Sequence, residues 1–299
     1  MSEPVMPSGA RLWIAGARLR TLPAAIVPVS VGTAAAVGQG TDTAWWRAGF
    51  ALVVALALQV GVNYANDYSD GVRGTDGVRR VGPLRLVGSG LVTPSAVKRA
   101  ATLSFLIASV FGGVLSLVVG PELLVVGIAS LIAGWTYTGG PRPYGYLGLG
   151  EVFVFVFFGL VATVGTTYVL LEEIDGVSAA CSVAVGLWAT ALLVINNLRD
   201  IPGDTDAGKI TLAVRLGDKR TRILYVVMQE AALLAAVLVT ILTGRAAAAA
   251  VLSLPFVVVA IRSVVRGATG TDLIPVLGLT GRVQLVGGLA MAVGLALSG

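Results

Sequence analysis

Two short stretches concentrate the residues that could do chemistry. Residues 61–76 read GVNYANDYSDGVRGTD, and residues 196–217 read NNLRDIPGDTDAGKITLAVRLG. Aligned on Asn66 and Asn196, the first places Asp70, Gly74 and Asp76 where the second has Asp200, Asp204 and Asp206. Steps of three and four residues share a helical face, so Asn63, Asp67 and Asp70 form one comb of oxygens and Asn196, Asp200 and Asp204 another. If the two combs face each other, four or more carboxylates converge and repel unless cations lie between them. Mg²⁺ suits such a site, because it is a hard ion that takes oxygen ligands and is often held by a few carboxylates together with substrate phosphates. Bases stand beside the acids: Arg73, Arg79, Arg80 and Arg85 follow the first cluster, Arg142 lies between the two, and Arg199 and Lys209 flank the second. A diphosphate bridged through metal to the carboxylates and clamped by Arg or Lys is neutralised from both sides.

The elements that must position these groups are membrane helices. Of 299 residues, 56% are hydrophobic and 12% charged, and the mean hydropathy is +0.88, well outside the range of a soluble domain. A bilayer core takes about 20 apolar residues as helix. By that measure nine spans are expected, near 23–39, 47–68, 101–119, 122–138, 149–171, 177–197, 221–243, 246–261 and 280–298. The expected fold is therefore an all-α integral membrane bundle, a single domain over 1–299 with no cleavable leader. Both acid clusters end even-numbered spans and enter basic loops, near 69–99 and 198–220, which suggests a duplicated helix pair.

All but Arg47 and Arg245 of the 21 Lys and Arg fall in the N-terminal segment and the loops after spans two, four, six and eight, with the span ends beside them. The positive-inside rule makes those regions cytoplasmic, with the N-terminus inside and the C-terminus outside. The pI near 9.7 then reflects topology and anionic lipid, and no nucleic-acid partner is expected. Histidine is absent, which excludes His-ligated haem, the common zinc sites and a Ser-His-Asp triad. Cys181 is the one cysteine, so no internal disulfide forms.

Solvated helix ends also collect Asp and Asn. Two clusters of matching spacing argue otherwise, each with Asn one helical turn inside the membrane, where polar groups are expensive without a role. GDTDAGKIT from Gly203 nearly fits a phosphate-binding loop. Ile210 replaces the hydroxyl that would hold magnesium, Asp204 and Asp206 put negative charge in the cradle, and a membrane helix precedes it where a strand should.

Asn66, Asp67 and Asp70 match the first motif, NDxxDxxxD, of the UbiA superfamily of membrane prenyltransferases, and Asp200 and Asp204 match its second, DxxxD. The chain resembles that family over most of its length. Gly74 replaces the last acid of the broad pattern, with Asp76 two residues later, a form similar to the naphthoate branch that makes menaquinone. ARLRTLPAAIVPVSVG at 17–32, RVGPLRLVGSGLV at 80–92, YTGGPRPYGYLGLGE at 137–151 and LIPVLGLTGRVQLV at 273–286 resemble the same branch.

The resemblance implies a nine-helix bundle with a central cavity, capped on the cytoplasmic side by the loops after spans two and six. It implies Mg²⁺-dependent ionisation of a polyprenyl diphosphate, then attack by the aromatic carbon of 1,4-dihydroxy-2-naphthoate with loss of the carboxylate, giving demethylmenaquinone. Asp67, Asp70, Asp200 and Asp204, with Asp76, would hold metal; Asn63, Asn66 and Asn196 would be weaker ligands or orienting groups; Arg142 and Lys209, with Arg73 nearby, would clamp diphosphate. An allylic cation must be kept from water, and Tyr137, Tyr144 and the phenylalanines at 153, 155, 157 and 158 could offer it ring faces. Arg20 is either a partner for the acceptor's carboxylate or a positive-inside anchor. The acceptor's phenolic proton could pass to a carboxylate, a tyrosine, the departing diphosphate or water. Glu230, inside span seven, has no assigned role. The rival readings are a relative acting on 4-hydroxybenzoate or homogentisate, and a divalent-cation carrier, which would keep its charges nearer the midplane with access from both faces.

Overall fold

The computed structural model describes residues 8–40, 42–75, 82 and 84–299, so Asp76, Arg79 and Arg80 lie outside the described residues. All regular structure among the described residues is helical. In chain order the helices are α1 (Ala10–Ala17), α2 (Pro23–Val37), α3 (Trp45–Arg73), α4 (Pro94–Val118), α5 (Glu122–Thr136), α6 (Gly150–Leu171), α7 (Gly176–Asp206), α8 (Leu212–Thr243), α9 (Ala247–Val265) and α10 (Gly270–Leu297).

Among the described residues seven of these, α3, α4 and α6–α10, are long and apolar enough to cross a membrane, and the α1–α2 pair, bent by 53°, brings the number to eight. The expected fourth span is helical as α5 but has only 15 residues. At about 1.5 Å per residue it falls short of a hydrocarbon core about 30 Å thick, so the expectation of nine full spans is not met by length. Pro121 at its start and Gly139 and Gly140 beyond its end keep it short. The chain is a multi-pass membrane protein.

The two acid-bearing helices are long and each packs most closely on its successor, α3 on α4 and α7 on α8. Gly74 ends α3 in the left-handed conformation, φ 73°, and its N–H returns to the Asp70 carbonyl, a glycine stop that needs no Cβ. The Asp175 side chain caps α7, accepting from the Ser178 N–H at 2.6 Å, as N-cap carboxylates do. The α8 helix begins at Leu212, earlier than the span expected from 221, and is broken at Gly217.

Each acid helix is backed by its own core. Tyr64 and Ala65 of α3 pack with Leu86, Val97 and Ala101, while Ile195 and Leu198 of α7 pack with Tyr225, Val264 and Leu273. Between them lies a cavity of about 810 Å³. Its apolar stretch runs along α5 and α6, past Leu123, Val126, Phe157, Phe158 and Val161. Phe155–Val161 is a π-helical segment, an irregularity that often accompanies functional cavities. Glu230 is exposed on the outside of the bundle, away from the cavity.

Candidate active site

The polar end of the cavity is where the two combs meet. Asn63, Asn66 and Asp70 of α3 line it, together with Asn196, Asp200 and Lys209 from the second motif and with Tyr137, Tyr144 and Arg20. The sequence-expected Asp67, Asp204, Arg73 and Arg142 lie outside its lining.

Asp67 is fully buried, and its two oxygens accept from the backbone N–H groups of Leu86 at 2.8 Å and Val87 at 3.0 Å. That carboxylate folds the loop after α3 back over the helix end. Asp70, one turn later, accepts from the Tyr146 hydroxyl at 2.8 Å and from Arg85 Nη2 at 3.3 Å. Asn63 donates to the Ala17 carbonyl and to Thr21 Oγ1, tying α3 to the α1–α2 bend, and Asn66 Oδ1 accepts from Thr138 at 2.8 Å. Arg73 donates to the carbonyls of Thr138 and Gly140, so it braces the 138–140 turn.

The second motif is held from within. Arg199, almost fully buried, donates from Nε and Nη2 to both oxygens of Asp200, each at 2.7 Å, and from Nη2 to Asn196 Oδ1 at 2.9 Å. Lys209 Nζ stands 3.7 Å from Asp204. Arg142 is exposed.

Tyr146 joins the two halves. Besides its bond to Asp70, its hydroxyl lies 3.4 Å from Thr75 Oγ1, and its ring takes the Arg73 guanidinium at 5.3 Å and Lys209 Nζ at 5.0 Å from its centroid. Burial, and then the charge of Asp70, push the phenol up to about 12. It is therefore a neutral donor throughout the working pH range. Burial likewise raises Tyr144 above the ordinary phenol value.

Sequence reasoning missed Tyr146, which stands in the quoted stretch 137–151 but was passed over for Tyr137 and Tyr144. It also missed Asn197 and Arg18, which line the cavity, and Glu151, which bonds Asn197. Arg18 takes a left-handed backbone, φ 54°, at the α1–α2 bend. A charged residue at the mouth of an apolar span, as Glu151 is, was the available signal.

Among the described residues no three His, Cys, Asp or Glu side chains gather closely enough to hold a metal by themselves. The donors that do line the cavity, two carboxylates and several amide oxygens, are hard oxygen ligands. They fit an ion that takes one or two carboxylates and completes its shell with phosphate and water. The cations Arg85, Arg199 and Lys209 line the same end, ready to meet an anion that arrives with the metal.

The chain matches the UbiA prenyltransferase family over residues 25–273. It is 50% identical over 287 residues to a 1,4-dihydroxy-2-naphthoate octaprenyltransferase of Mycobacterium tuberculosis, covering 95% of this chain and 96% of that one. To the enzyme of the same name from Escherichia coli it is 40% identical over 228 residues, covering 72% of this chain and 71% of that one. Among solved structures, a UbiA homologue from Archaeoglobus fulgidus bound to GPP and Mg²⁺ superposes with a TM-score of 0.65 at 13% identity, over 94% of this chain and 99% of the other. An apo UbiA homologue from Aeropyrum pernix gives 0.70 at 16% identity, over 90% and 97%. Likeness at that identity speaks to the fold.

Proposed function

Because the chain belongs to the UbiA prenyltransferase family, we propose that its cavity joins a polyprenyl diphosphate to 1,4-dihydroxy-2-naphthoate, with decarboxylation, to give the demethylmenaquinone skeleton. The observation that carries this reading is the meeting of Asp70 and Asp200, from distant helices, at the cation-lined end of a cavity that continues as apolar wall. That is the shape of an anionic head on a hydrocarbon tail. The acceptor is inferred from relatives that share the naphthoate activity and most of their length with this chain.

Asp70 and Asp200, with amide oxygens from Asn66 and Asn196 and with Asp204 beside them, would hold Mg²⁺, and Lys209, which lines the same end, would face the diphosphate. Mg²⁺ at that place supplies the charge neutralisation that makes diphosphate a leaving group. Arg85 and Arg199, which line the same end, would meet the charge that develops on the diphosphate as the carbon–oxygen bond breaks. Asp67 keeps the loop folded. Asp76, which lies outside the described residues, would be a further ligand from the first motif. Phe153, Phe157 and Tyr144, stacked in series with Tyr144 and Phe153 centroids 3.9 Å apart, line the wall and shield the allylic cation from water. The new carbon–carbon bond forms at the ring, the carboxylate carbon leaves as carbon dioxide, and its bonding pair restores the aromatic ring, so no net proton is released.

The test uses purified protein with Mg²⁺, a long-chain polyprenyl diphosphate and carboxyl-labelled naphthoate, following label loss as carbon dioxide and prenyl transfer by mass. Both are expected together, with 4-hydroxybenzoate or homogentisate left largely untouched. Equal turnover of 4-hydroxybenzoate would remove the naphthoate reading and keep the prenyltransferase one. Cation flux into proteoliposomes without product would favour a carrier. The basic loops, with the active site and the N-terminus, face the cytoplasm in this reading. Single cysteines from Ser89→Cys and Gly217→Cys should then label from the cytoplasmic side alone; Cys181 is buried and is replaced first.

A further inference from the structure

Glu151 opens α6 and is 4% exposed. Its Oε1 accepts from Asn197 Nδ2 at 2.9 Å, while Oε2 is buried with no hydrogen-bond partner among the described residues. A half-satisfied carboxylate inside a membrane bundle is costly, and an apolar side chain would pack there without the penalty. Asn197, which bonds Glu151, lines the cavity, and so does Tyr137. The Tyr137 hydroxyl sits beside the preceding residue, since a methyl group built on Gly150 would stand 3.5 Å from it.

An amide has one donor end and one acceptor end. With Nδ2 turned to the carboxylate, the Asn197 amide is set with Oδ1 as the end opposite Glu151. Without Glu151 the amide could turn over and offer a donor instead. The reaction needs an acceptor there, because a ring hydroxyl that donates a hydrogen bond pushes electron density into the ring that attacks.

We infer that Glu151 is a positioning residue: it fixes the Asn197 amide so that Oδ1 receives a ring hydroxyl of the aromatic substrate, and thereby selects for a phenolic acceptor. This rests on the aromatic prenyl transfer proposed above. It assigns the acceptor's subsite to the wall formed by α6 and α7, beside Tyr137 and about a helical turn deeper than Asp200, so that ring and diphosphate are read by different residues of one helix.

Glu151→Leu, Glu151→Gln, Asn197→Leu and the Glu151→Leu/Asn197→Leu double variant are compared by steady-state kinetics for each substrate and by thermal unfolding in detergent. Glu151→Leu should raise the KM for the naphthoate about tenfold while the KM for the prenyl diphosphate stays within about twofold. Glu151→Gln, whose amide oxygen still accepts from Asn197 Nδ2, should recover most of that loss. The double variant should be no worse than Asn197→Leu alone, since both act through one amide. An unchanged naphthoate KM in Glu151→Leu overturns the inference. So does an equal rise for both substrates with a lower Tm, or a Gln variant as impaired as the Leu one. Failure of the naphthoate reading shows elsewhere, in the wild-type protein, as turnover of 4-hydroxybenzoate in its place; the same variants are then read on that phenol, where the same split is expected.

Discussion

The two acid motifs share a spacing and differ in what holds them. In the first, Asp67 is spent on the backbone of Leu86 and Val87, and Asp70 is held by Tyr146 and Arg85, all far along the chain. In the second, Asp200 is held by its neighbour Arg199 and Asp204 by Lys209, within the motif itself. The first is braced by the fold and the second carries its own counter-charges. Equal spacing therefore does not mean equal roles: it fixes which face of the helix the acids take, and the neighbours decide which acids face the ligand.

The comparison is broken most directly at the pair that faces the cavity. Asp70→Asn and Asp200→Asn should each lower kcat by roughly 10²–10³ with the fold intact, because the group lost is an electrostatic one at the reacting centre. Near-normal turnover of either at limiting Mg²⁺ would remove it from the metal site. Asp67→Asn separates the motifs. Asparagine can accept from only part of what the carboxylate holds, and a buried N–H left without a partner costs about 1–3 kcal/mol, so the Tm should fall while the surviving folded enzyme keeps its turnover. An unchanged Tm with lost activity would return Asp67 to the ligands.

Tyr146→Phe tests the bridge. Losing a hydrogen bond to a charged group should cost about tenfold in activity and raise the Mg²⁺ needed for half-saturation. The phenol's value is raised to about 12. Below that it stays protonated and goes on donating to Asp70, so the deficit should be the same at about pH 7 and about pH 9, below an ordinary phenol's value near 10. A deficit that shrinks as pH rises would mean that Tyr146 ionises earlier. The smallest contrast lies among the bases. Lys209→Gln should raise the diphosphate KM several-fold, whereas Arg142→Ala, at an exposed position, should change it by about twofold or less. Reversal of that order would move the clamp to the 138–143 turn.

The acids that line the cavity were readable because helical periodicity is local: Asp70 and Asp200 follow Asn66 and Asn196 by one turn. The hydrogen bonds of Asp67 were not, since they depend on a loop that closes 19 residues later, and nothing in the motif announces that partner. Tyr146 was hidden for the same reason, as its contacts exist only once the 138–147 turn reaches both Asp70 on α3 and Lys209 beyond the end of α7. Glu151 and Asn197 were visible as polar residues on apolar helices, but their pairing spans 46 residues. The helical class and most spans followed from hydropathy. The fourth expected span is an apolar helix of 15 residues, shorter than its hydropathy window because that window does not register that Pro121 and the glycines after Thr136 trim the helix itself.

The cavity's size has a consequence for the lipid economy of the cell. At about 810 Å³ it lies within the range of about 300–1,000 Å³ that encloses a drug-sized molecule. An aromatic bicycle, a diphosphate and the first isoprene units fill such a space, which leaves the rest of a long tail to the surrounding acyl chains. A cavity of that size sets no limit on how long the tail beyond it can be. On the proposed reading the length of the product's tail is left to whichever enzyme elongates the donor.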